Sequence, residues 1–169
     1  MALVIGIDPG KKGGIVALDL NTGFPVEWLA ADDPSGGYVA GKHYLDRVMA
    51  VFLEDRQDVA LCVLERAGAR PMEGRTSCFT NGMGFGLWRG MIAALNLPSI
   101  RPTPASWQRQ IFGTRPAGAD RKARAIETAM MRCPDLDLVL KRRRKPHDGL
   151  ADAACLALFG IAQLGKGAA

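Results

Sequence analysis

Apolar residues in the first half of the chain form short runs of strand length. The runs over residues 2–8, 13–20 and 25–31 are separated by turns rich in Gly, with Pro in one and Asn in the other, and they predict three strands in a meander. The near-continuous apolar run over residues 58–65 predicts a strand that is buried on both faces. A short run over residues 99–102 predicts a fifth strand.

Apolar positions at helical spacing predict helices in most of the remaining chain. They favour helices over residues 43–55, roughly 84–96, 104–112, 119–132 and 148–164, and the Gly-rich stretch 66–86 is interpreted as a loop. A meander followed by alternating strands and helices predicts an α/β fold, with a mixed sheet and helices on both faces. One domain over residues 1–169 is expected. A doubly wound parallel sheet is the alternative.

The composition is typical of a folded globular protein. The chain of 169 residues is 48% hydrophobic and 23% charged, which allows a sizeable core. No apolar run approaches the roughly 20 residues that cross a bilayer, so no membrane partner is expected. No basic segment precedes the first apolar stretch, so no signal peptide is expected, and a cytoplasmic location is predicted, bacterial or that of a phage host. Four scattered cysteines predict neither a zinc site nor a disulfide framework.

Charge is distributed unevenly along the chain. Residues 1–100 hold 9 Lys and Arg against 11 Asp and Glu, whereas residues 101–169 hold 13 against 6. The second half therefore supplies the excess behind the net charge of +5. Such a half either binds a polyanion or only keeps the protein soluble, and charge alone favours neither interpretation.

Two acidic residues come directly after apolar strand runs. Asp8 closes the first predicted strand, and Glu65 is the first charge after the run VALCVL. If the two strands are neighbours, both carboxylates lie at the same edge of the sheet. Each also has an ordinary structural interpretation, because Asp often caps a Pro-Gly turn and Glu65 can pair with Arg66.

The last predicted helix carries two further acids, Asp148 and Asp152, four residues apart. Residues at this spacing share one face of a helix, and two like charges there repel each other. Asp148 stands where a helix N-cap is expected, whereas Asp152 lies between two alanines and has no such role. A hard divalent cation such as Mg²⁺ would relieve the repulsion, since it prefers oxygen ligands. The four acids together could hold two metal ions for phosphodiester hydrolysis.

The chain resembles the RuvC-like Holliday-junction resolvases of the ribonuclease H-like superfamily. The resemblance rests on GIDPG in the first strand, LE at the end of the fourth and HDGLADAACLAL on the last helix, in that order. The segment RPTPASWQRQIFG is similar to the Pro-x-x-Trp segment of bacteriophage-type members. This resemblance implies a ribonuclease H-like fold with a five-stranded mixed sheet whose first three strands are antiparallel.

The resemblance also implies an endonuclease that uses Mg²⁺ or Mn²⁺, with two ions per active site. Such an enzyme acts as a homodimer and nicks two strands of a four-way DNA junction, so branched DNA is the implied partner. Asp8, Glu65, Asp148 and Asp152 match the acidic tetrad and would hold the metal. His147 adjoins the last pair and is a candidate to bind metal or to orient water.

The sequence departs from the family pattern in three respects. Arg66 and small residues follow Glu65 where cellular members have an aromatic residue. Gln108 follows Trp107 where phage-type members often have Lys, so Lys122 becomes the candidate for a supporting cation near the phosphate. The last two acids are four residues apart rather than the three found in some members.

Three basic groups are candidates for DNA contacts. The run KRRRK directly precedes the acidic helix and would bind phosphates in a strongly salt-dependent way, although a targeting or merely solvated tract is the alternative. Two lysines follow Asp8, and arginines of the Gly-rich segment could probe the junction from a loop. The candidates are Lys11, Lys12, Arg66, Arg70, Arg75, Lys141, Arg142, Arg143, Arg144 and Lys145.

The sequence leaves other functions open. A relative of the same fold could cut flaps, branched DNA in general or RNA–DNA hybrids, and a non-catalytic module could only bind junctions. The stretch DPGKKGG is also loosely similar to the first phosphate loop of actin-like and hexokinase-like proteins, but 169 residues leave no room for the second subdomain of that fold.

Overall fold

A computed structural model describes residues 1–41, 43–54, 56, 58–68, 74–113, 120–141 and 143–167. The strands in these residues are β1 (Leu3–Asp8), β2 (Gly14–Asp19), β3 (Pro25–Ala30), β4 (Val39–Ala40), β5 (His43–Tyr44), β6 (Val59–Leu64) and β7 (Ser99–Ile100). The main sheet has five strands in the order β3-β2-β1-β6-β7. β1, β2 and β3 pair antiparallel, whereas β6 runs parallel to β1 and β7 parallel to β6. The predicted mixed sheet is therefore confirmed.

The parallel pairing of β1 and β6 determines where two acids lie. Ile7 is opposite Leu64 in the register, and the backbone N–H of Glu65 donates to the carbonyl oxygen of Ile7 at 3.0 Å. Both strands are buried along nearly their whole length, as their continuous apolar runs predict. Asp8 and Glu65 therefore emerge together at the carboxyl edge of the sheet.

Helices cover both faces of this sheet, as predicted. They are α1 (Asp46–Leu53), α2 (Arg75–Ala94), α3 (Pro104–Phe112), α4 (Arg121–Arg132) and α5 (Asp148–Gly167). Met49 of α1 and Trp88 of α2 share a buried cluster with Ile5 of β1. Residues of α3, α4 and α5, including Trp107, form a second cluster with Val4. Successive side chains of β1 thus enter cores on opposite sides of the sheet.

Helix α5 lies directly on β1. A Cβ on Gly6 would be 2.0 Å from the carbonyl oxygen of Ala153, so only glycine allows this contact. By length and composition the stretch Asp148–Lys166 could cross a membrane, with a mean hydropathy of 1.2, contrary to the expectation that no run approaches that length. In the fold, 61% of an 18-residue segment of this stretch is buried. Its side chains form the core on one face of the sheet.

Two predicted elements differ from the structure. The helix predicted over residues 43–55 begins only at Asp46, because β5 pairs with β4 in a short hairpin. Helix α2 begins at Arg75 rather than near residue 84, so most of the Gly-rich stretch is helical and not a loop. Glycines on the exposed side of α2 lower its helix propensity, and for this reason the sequence pattern did not predict its first part. The burial of Trp88 and Ile92 stabilises the helix in the fold.

Candidate active site

Four carboxylates from three separate elements line one cleft of about 560 Å³. Asp8 ends β1, Glu65 follows β6, and Asp148 and Asp152 lie in the first turns of α5. The structure thus brings together all four acids that the sequence singled out. Cations and neutral polar side chains complete the walls: Lys11, Lys12, Thr76, Ser77, Thr80, Asn81, Gln108, Arg121 and Lys122.

The turn after β1 holds Asp8 in place. Its Oδ1 accepts a hydrogen bond from the backbone N–H of Gly10 at 3.1 Å. The hydroxyl groups of Tyr38 and Tyr44 donate to the carbonyl oxygens of Asp8 and Pro9, at 3.3 and 3.1 Å respectively. Asp8 therefore does cap its turn, and this bond orients its carboxylate in the wall of the cleft.

Glu65 is oriented by Trp107. The indole Nε1–H donates to Oε1 of Glu65 at 2.8 Å, and the ring itself is fully buried. Helix α3 is well defined at its start, where the side chain of Thr103 accepts from the N–H of Ser106 and Pro104 occupies the first turn. The tryptophan of the Pro-x-x-Trp segment therefore acts on a carboxylate of the site, a role that the sequence did not indicate.

Asp148 is the first residue of α5 and not its cap. The carbonyl oxygen of His147 accepts a helical hydrogen bond from the backbone N–H of Ala151 at 3.2 Å. The ring Nδ1 of His147 accepts a hydrogen bond from the backbone N–H of Leu150 at 3.0 Å. His147 is therefore the N-cap, and the expectation that Asp148 caps the helix is wrong. The carboxylate of Asp148 is instead paired with the ammonium group of Lys122 from α4.

His147 lies beside the cleft rather than in it. Only 2% of His147 is exposed, and its ring Nε2 is 2.8 Å from Oδ1 of Asp32. Because Nδ1 caps α5, both ring nitrogens are engaged. Neither is directed at a metal or a water in the cleft, contrary to the role that the resemblance suggested.

Burial and mutual repulsion raise the pKa of two of the acids. Burial raises the pKa of Asp152 from 3.8 to about 8, and the charges of Asp8 and Glu65 add to the effect. The pKa of Asp8 rises to about 7, first by burial and then by the charge of Glu65. Burial also disfavours ionised Asp148, but the hydrogen bond and charge of Lys122 outweigh it and hold the pKa of Asp148 below 3.8. Negative charge is therefore crowded in this cleft.

The donor set of the cleft suits a hard divalent cation. Carboxylate oxygens are the ligands that Mg²⁺ and Mn²⁺ prefer, and a bound cation would relieve the repulsion that raises the pKa of Asp8 and of Asp152. In the part of the chain that the structure describes, no three His, Cys, Asp or Glu residues are already grouped so as to hold a metal ion. The carboxylates thus fit a cation by their chemistry and their convergence, and they would have to close around it.

A second cleft, of about 410 Å³, also borders Asp8 and Glu65. It shares these two acids and Asn81 of α2 with the first cleft, and it extends along Arg66 to Thr103. The two clefts meet at the carboxylates. An extended polyanion lying across both would therefore pass directly over Asp8 and Glu65.

The basic residues predicted to contact DNA are placed differently from one another. Lys11 and Lys12 line the first cleft and Arg66 lines the second. Arg75 is exposed, but it begins α2 and does not belong to a loop as expected. Arg70 and Arg142 lie outside the described residues.

The basic run before α5 lines neither of these clefts, as far as its described residues show. Lys141, Arg144 and Lys145 are exposed. Arg143 instead pairs with Asp32, with Nη2 at 2.8 Å from Oδ2 and 3.3 Å from the carbonyl oxygen. Arg143 is therefore engaged in a partly exposed ion pair within the protein, whereas the prediction placed it on an open phosphate clamp.

Several residues of the site were not singled out by the sequence patterns. Arg121 adds a cation to the first cleft, and Ser77 and Asn81 give α2 a polar face toward it. These residues look like ordinary surface positions in the sequence. Gly149 did carry a signal, since glycine is unfavourable in the first turn of a helix. A Cβ there would be 2.0 Å from the carbonyl oxygen of Lys12, so glycine lets α5 approach the turn after β1.

No protein-family profile and no curated protein sequence matches the chain. Solved structures do match. The chain is similar to Thermus thermophilus RuvC in complex with a Holliday junction substrate, with a TM-score of 0.63 and 15% identity, over 98% of this chain and 97% of that chain. It is similar to a second Thermus thermophilus RuvC structure with a TM-score of 0.62 and 16% identity, over 96% of each chain. The chain therefore has the ribonuclease H-like fold of RuvC over nearly its whole length.

Proposed function

We propose that this protein is a metal-dependent endonuclease that hydrolyses phosphodiester bonds in branched DNA, with four-way junctions as its substrate. The observation that carries the proposal is the convergence of Asp8, Glu65, Asp148 and Asp152 in one cleft of a RuvC fold. One similar structure is of RuvC in complex with a Holliday junction substrate. A relationship to bacteriophage-type resolvases, suggested by RPTPASWQRQIFG, and a cytoplasmic location belong to the same proposal.

The four carboxylates would hold Mg²⁺ or Mn²⁺, two ions in each site. Such ions activate water and stabilise the leaving oxygen of a phosphodiester. Asp8 and Asp152 would lose their protons on binding, because a nearby positive charge lowers the pKa of a carboxyl. Trp107 keeps Glu65 turned toward the cleft through its 2.8 Å hydrogen bond. The chain thus contributes a set of oxygen ligands at a defined place beside the scissile phosphate.

Lys122 has a separate role beside these acids. Its ammonium group is paired with Asp148, and this pair raises the pKa of Lys122. The side chain of Lys122 is 71% exposed, so the pair is weak and Lys122 can leave it easily. If Asp148 held a cation, Lys122 would be released from this pair and could contact the phosphate. Lys122 would then take the part of the lysine that phage-type members often carry after the Trp of their Pro-x-x-Trp segment.

The DNA strand would follow the two connected clefts. Lys11, Lys12 and Arg121 supply phosphate contacts in the first cleft and Arg66 in the second. Contacts of this kind release about one counterion each, so binding should weaken steeply as salt rises. The exposed cations of the basic run would hold DNA outside the clefts.

Two cuts in one junction require two active sites, and a homodimer is therefore part of the proposal. A two-fold dimer relates its two clefts by the same kind of symmetry that a four-way junction has. Light scattering with and without junction DNA measures the stoichiometry. One protomer bound to each junction would remove this part of the proposal.

The test of the function compares labelled four-way, flap and RNA–DNA hybrid substrates in Mg²⁺, in Mn²⁺ and in EDTA. We expect paired nicks in the four-way junction with either metal and none in EDTA, and Asp8→Asn should bind the junction without cutting it. Asp19→Asn is the matched control, because Asp19 also ends a strand but its carboxylate accepts hydrogen bonds within a surface turn. Preferred cutting of flaps or hybrids would reassign the substrate. Junction binding without metal-dependent cleavage would leave only a binding module.

A further inference from the structure

A polar cluster around one buried histidine lies beside the carboxylate cleft. It joins Asp32, just after β3, to Arg143 of the basic run and to His147 before α5. Only 2% of His147 is exposed, and Thr80 is the other buried polar residue among those that the structure describes. A polar side chain at this depth destabilises a fold unless its partners are in place. The partners of His147 therefore indicate what it does.

His147 is held by four hydrogen bonds. Its backbone N–H donates to the carbonyl oxygen of Leu138 at 2.8 Å, and its own carbonyl oxygen accepts from Ala151 at 3.2 Å. In the ring, Nδ1 accepts from the N–H of Leu150 at 3.0 Å, and Nε2 lies 2.8 Å from Oδ1 of Asp32. Both the backbone and the rotation of the ring are thereby fixed.

These bonds also specify the tautomer of the ring. Nδ1 accepts a hydrogen bond from the backbone N–H of Leu150 and therefore carries no hydrogen of its own. The ring hydrogen is then on Nε2, which donates a hydrogen bond to Oδ1 of Asp32. The other oxygen of Asp32 is bound by Arg143 at 2.8 Å. Burial disfavours ionised Asp32, but the hydrogen bonds from Arg143 and His147 outweigh it and hold the pKa of Asp32 low. Asp32 is thus an ionised acceptor that keeps the ring in the form that caps α5.

The cap determines where α5 begins and which way its first turn faces. Asp148 directly follows His147, and Asp152 lies one turn further along the helix. On the other side of this turn, Gly149 lies so close to the carbonyl oxygen of Lys12 that a Cβ would be 2.0 Å from it. A small shift or rotation of the first turn would therefore carry both acids of α5 away from the two acids of the sheet.

We propose that Asp32 and His147 are positioning residues of the metal site: they fix the start of α5 so that its two acids meet those of the sheet around the cation. This inference rests on the proposed function, since it concerns the same carboxylates. Arg143 connects the basic run to the same arrangement, because it binds the second oxygen of Asp32.

A purely structural role for the pair predicts a different result. If the pair only stabilised the fold, its loss would lower the free energy of unfolding and leave the affinity for a cation unchanged. A positioning role weakens cation binding even in variants that stay folded. Mutation of a residue that orients metal ligands typically weakens metal affinity by about 10- to 100-fold. Cation affinity and stability therefore have to be measured together.

The experiment measures Mn²⁺ binding to the full chain by electron paramagnetic resonance without DNA, together with thermal unfolding in EDTA and junction cleavage. Asp32→Ala removes the partner of Nε2. His147→Asn keeps an oxygen near the place of Nδ1, so α5 stays capped, but its side chain is too short to reach Asp32. Asp32→Asn is the conservative variant, since its amide oxygen can still accept from Nε2. His43→Asn is the matched control, because His43 is exposed on β5.

We expect Asp32→Ala and His147→Asn to bind Mn²⁺ about tenfold more weakly or worse and to cut more slowly. Asp32→Asn should recover most of the affinity, and His43→Asn should match the unmodified protein. If Asp32→Ala does not fold, His147→Asn decides the question. Unchanged Mn²⁺ affinity in the folded variants would overturn the inference, whatever their unfolding temperatures.

Two outcomes separate this inference from the proposed function. If the unmodified protein binds Mn²⁺ but does not cut junctions, the proposed function fails, and the inference is decided by the Mn²⁺ affinities alone. If the unmodified protein binds no Mn²⁺, both are overturned.

Discussion

Replacing Asp152 by Asn should stabilise the metal-free protein at alkaline pH. In the fold, burial raises the pKa of Asp152 from 3.8 to about 8, with further contributions from Asp8 and Glu65. In the unfolded chain the carboxyl regains its ordinary pKa. Between these two pKa values the folded chain binds the proton and the unfolded chain does not, so stability is full below pH 3.8 and falls until the pH reaches about 8.

The size of this effect follows from the two pKa values. Each tenfold change in proton affinity corresponds to about 1.4 kcal/mol, so a pKa raised from 3.8 to about 8 means that ionising Asp152 in the fold costs at most on the order of 6 kcal/mol. Movement of the neighbouring carboxylates and entry of water reduce this cost, and roughly 2–3 kcal/mol should be measurable. Asn has nearly the same shape as Asp but does not titrate, so the substitution removes the charge and keeps the packing.

Urea unfolding in EDTA at about pH 5 and about pH 9 measures the effect. The stability of Asp152→Asn relative to the unmodified protein should rise by roughly 2–3 kcal/mol between these pH values. Asp135→Asn, at an exposed position after α4, is the control and should show no such rise. Added Mg²⁺ should favour the unmodified protein, because a cation stabilises the form that binds it. A relative stability that does not change with pH would refute the reasoning.

Two further substitutions test the supports of the cleft. Trp107→Phe keeps a buried ring but removes the donor to Glu65, so single-turnover cleavage should slow about tenfold, while urea unfolding should show a loss of only about 1 kcal/mol. An unchanged rate would contradict this. Gly149→Ala sets a Cβ 2.0 Å from the carbonyl oxygen of Lys12, and it should lower the unfolding free energy by more than about 2 kcal/mol. Gly165→Ala, which faces open space on the same helix, should raise it by about 0.5–1 kcal/mol, and equal effects would contradict the close contact.

The carboxyl edge of the sheet could be predicted because its signals are local. A buried strand that ends in an acid is visible in the run before Asp8 and again before Glu65, and the parallel register brings the two ends together. Helix α3 was predicted with its observed limits, since Thr103 and Pro104 mark its start and Gly113 follows its end.

The parts that could not be predicted depend on contacts between distant residues. Asp32 is an unremarkable loop acid in the sequence, and only the fold brings it to the ring of His147. The start of α2 is hidden by its glycines, because their low propensity is offset by tertiary burial that no local pattern shows. The link from Trp107 to Glu65 joins a helix to a strand end and has no sequence spacing of its own.

Single-turnover cleavage of a four-way junction most directly tests the claim that the four carboxylates form one metal-dependent centre. The unmodified protein and four variants, Asp8→Asn, Glu65→Gln, Asp148→Asn and Asp152→Asn, are first bound to labelled junction in EDTA, and the reaction is started with excess Mg²⁺. We predict paired nicks by the unmodified protein, and full binding with severely slowed cutting by each variant. A variant that cuts as fast as the unmodified protein would show that the replaced residue is not part of the centre. An unmodified protein that binds the junction but never cuts it would contradict the claim as a whole.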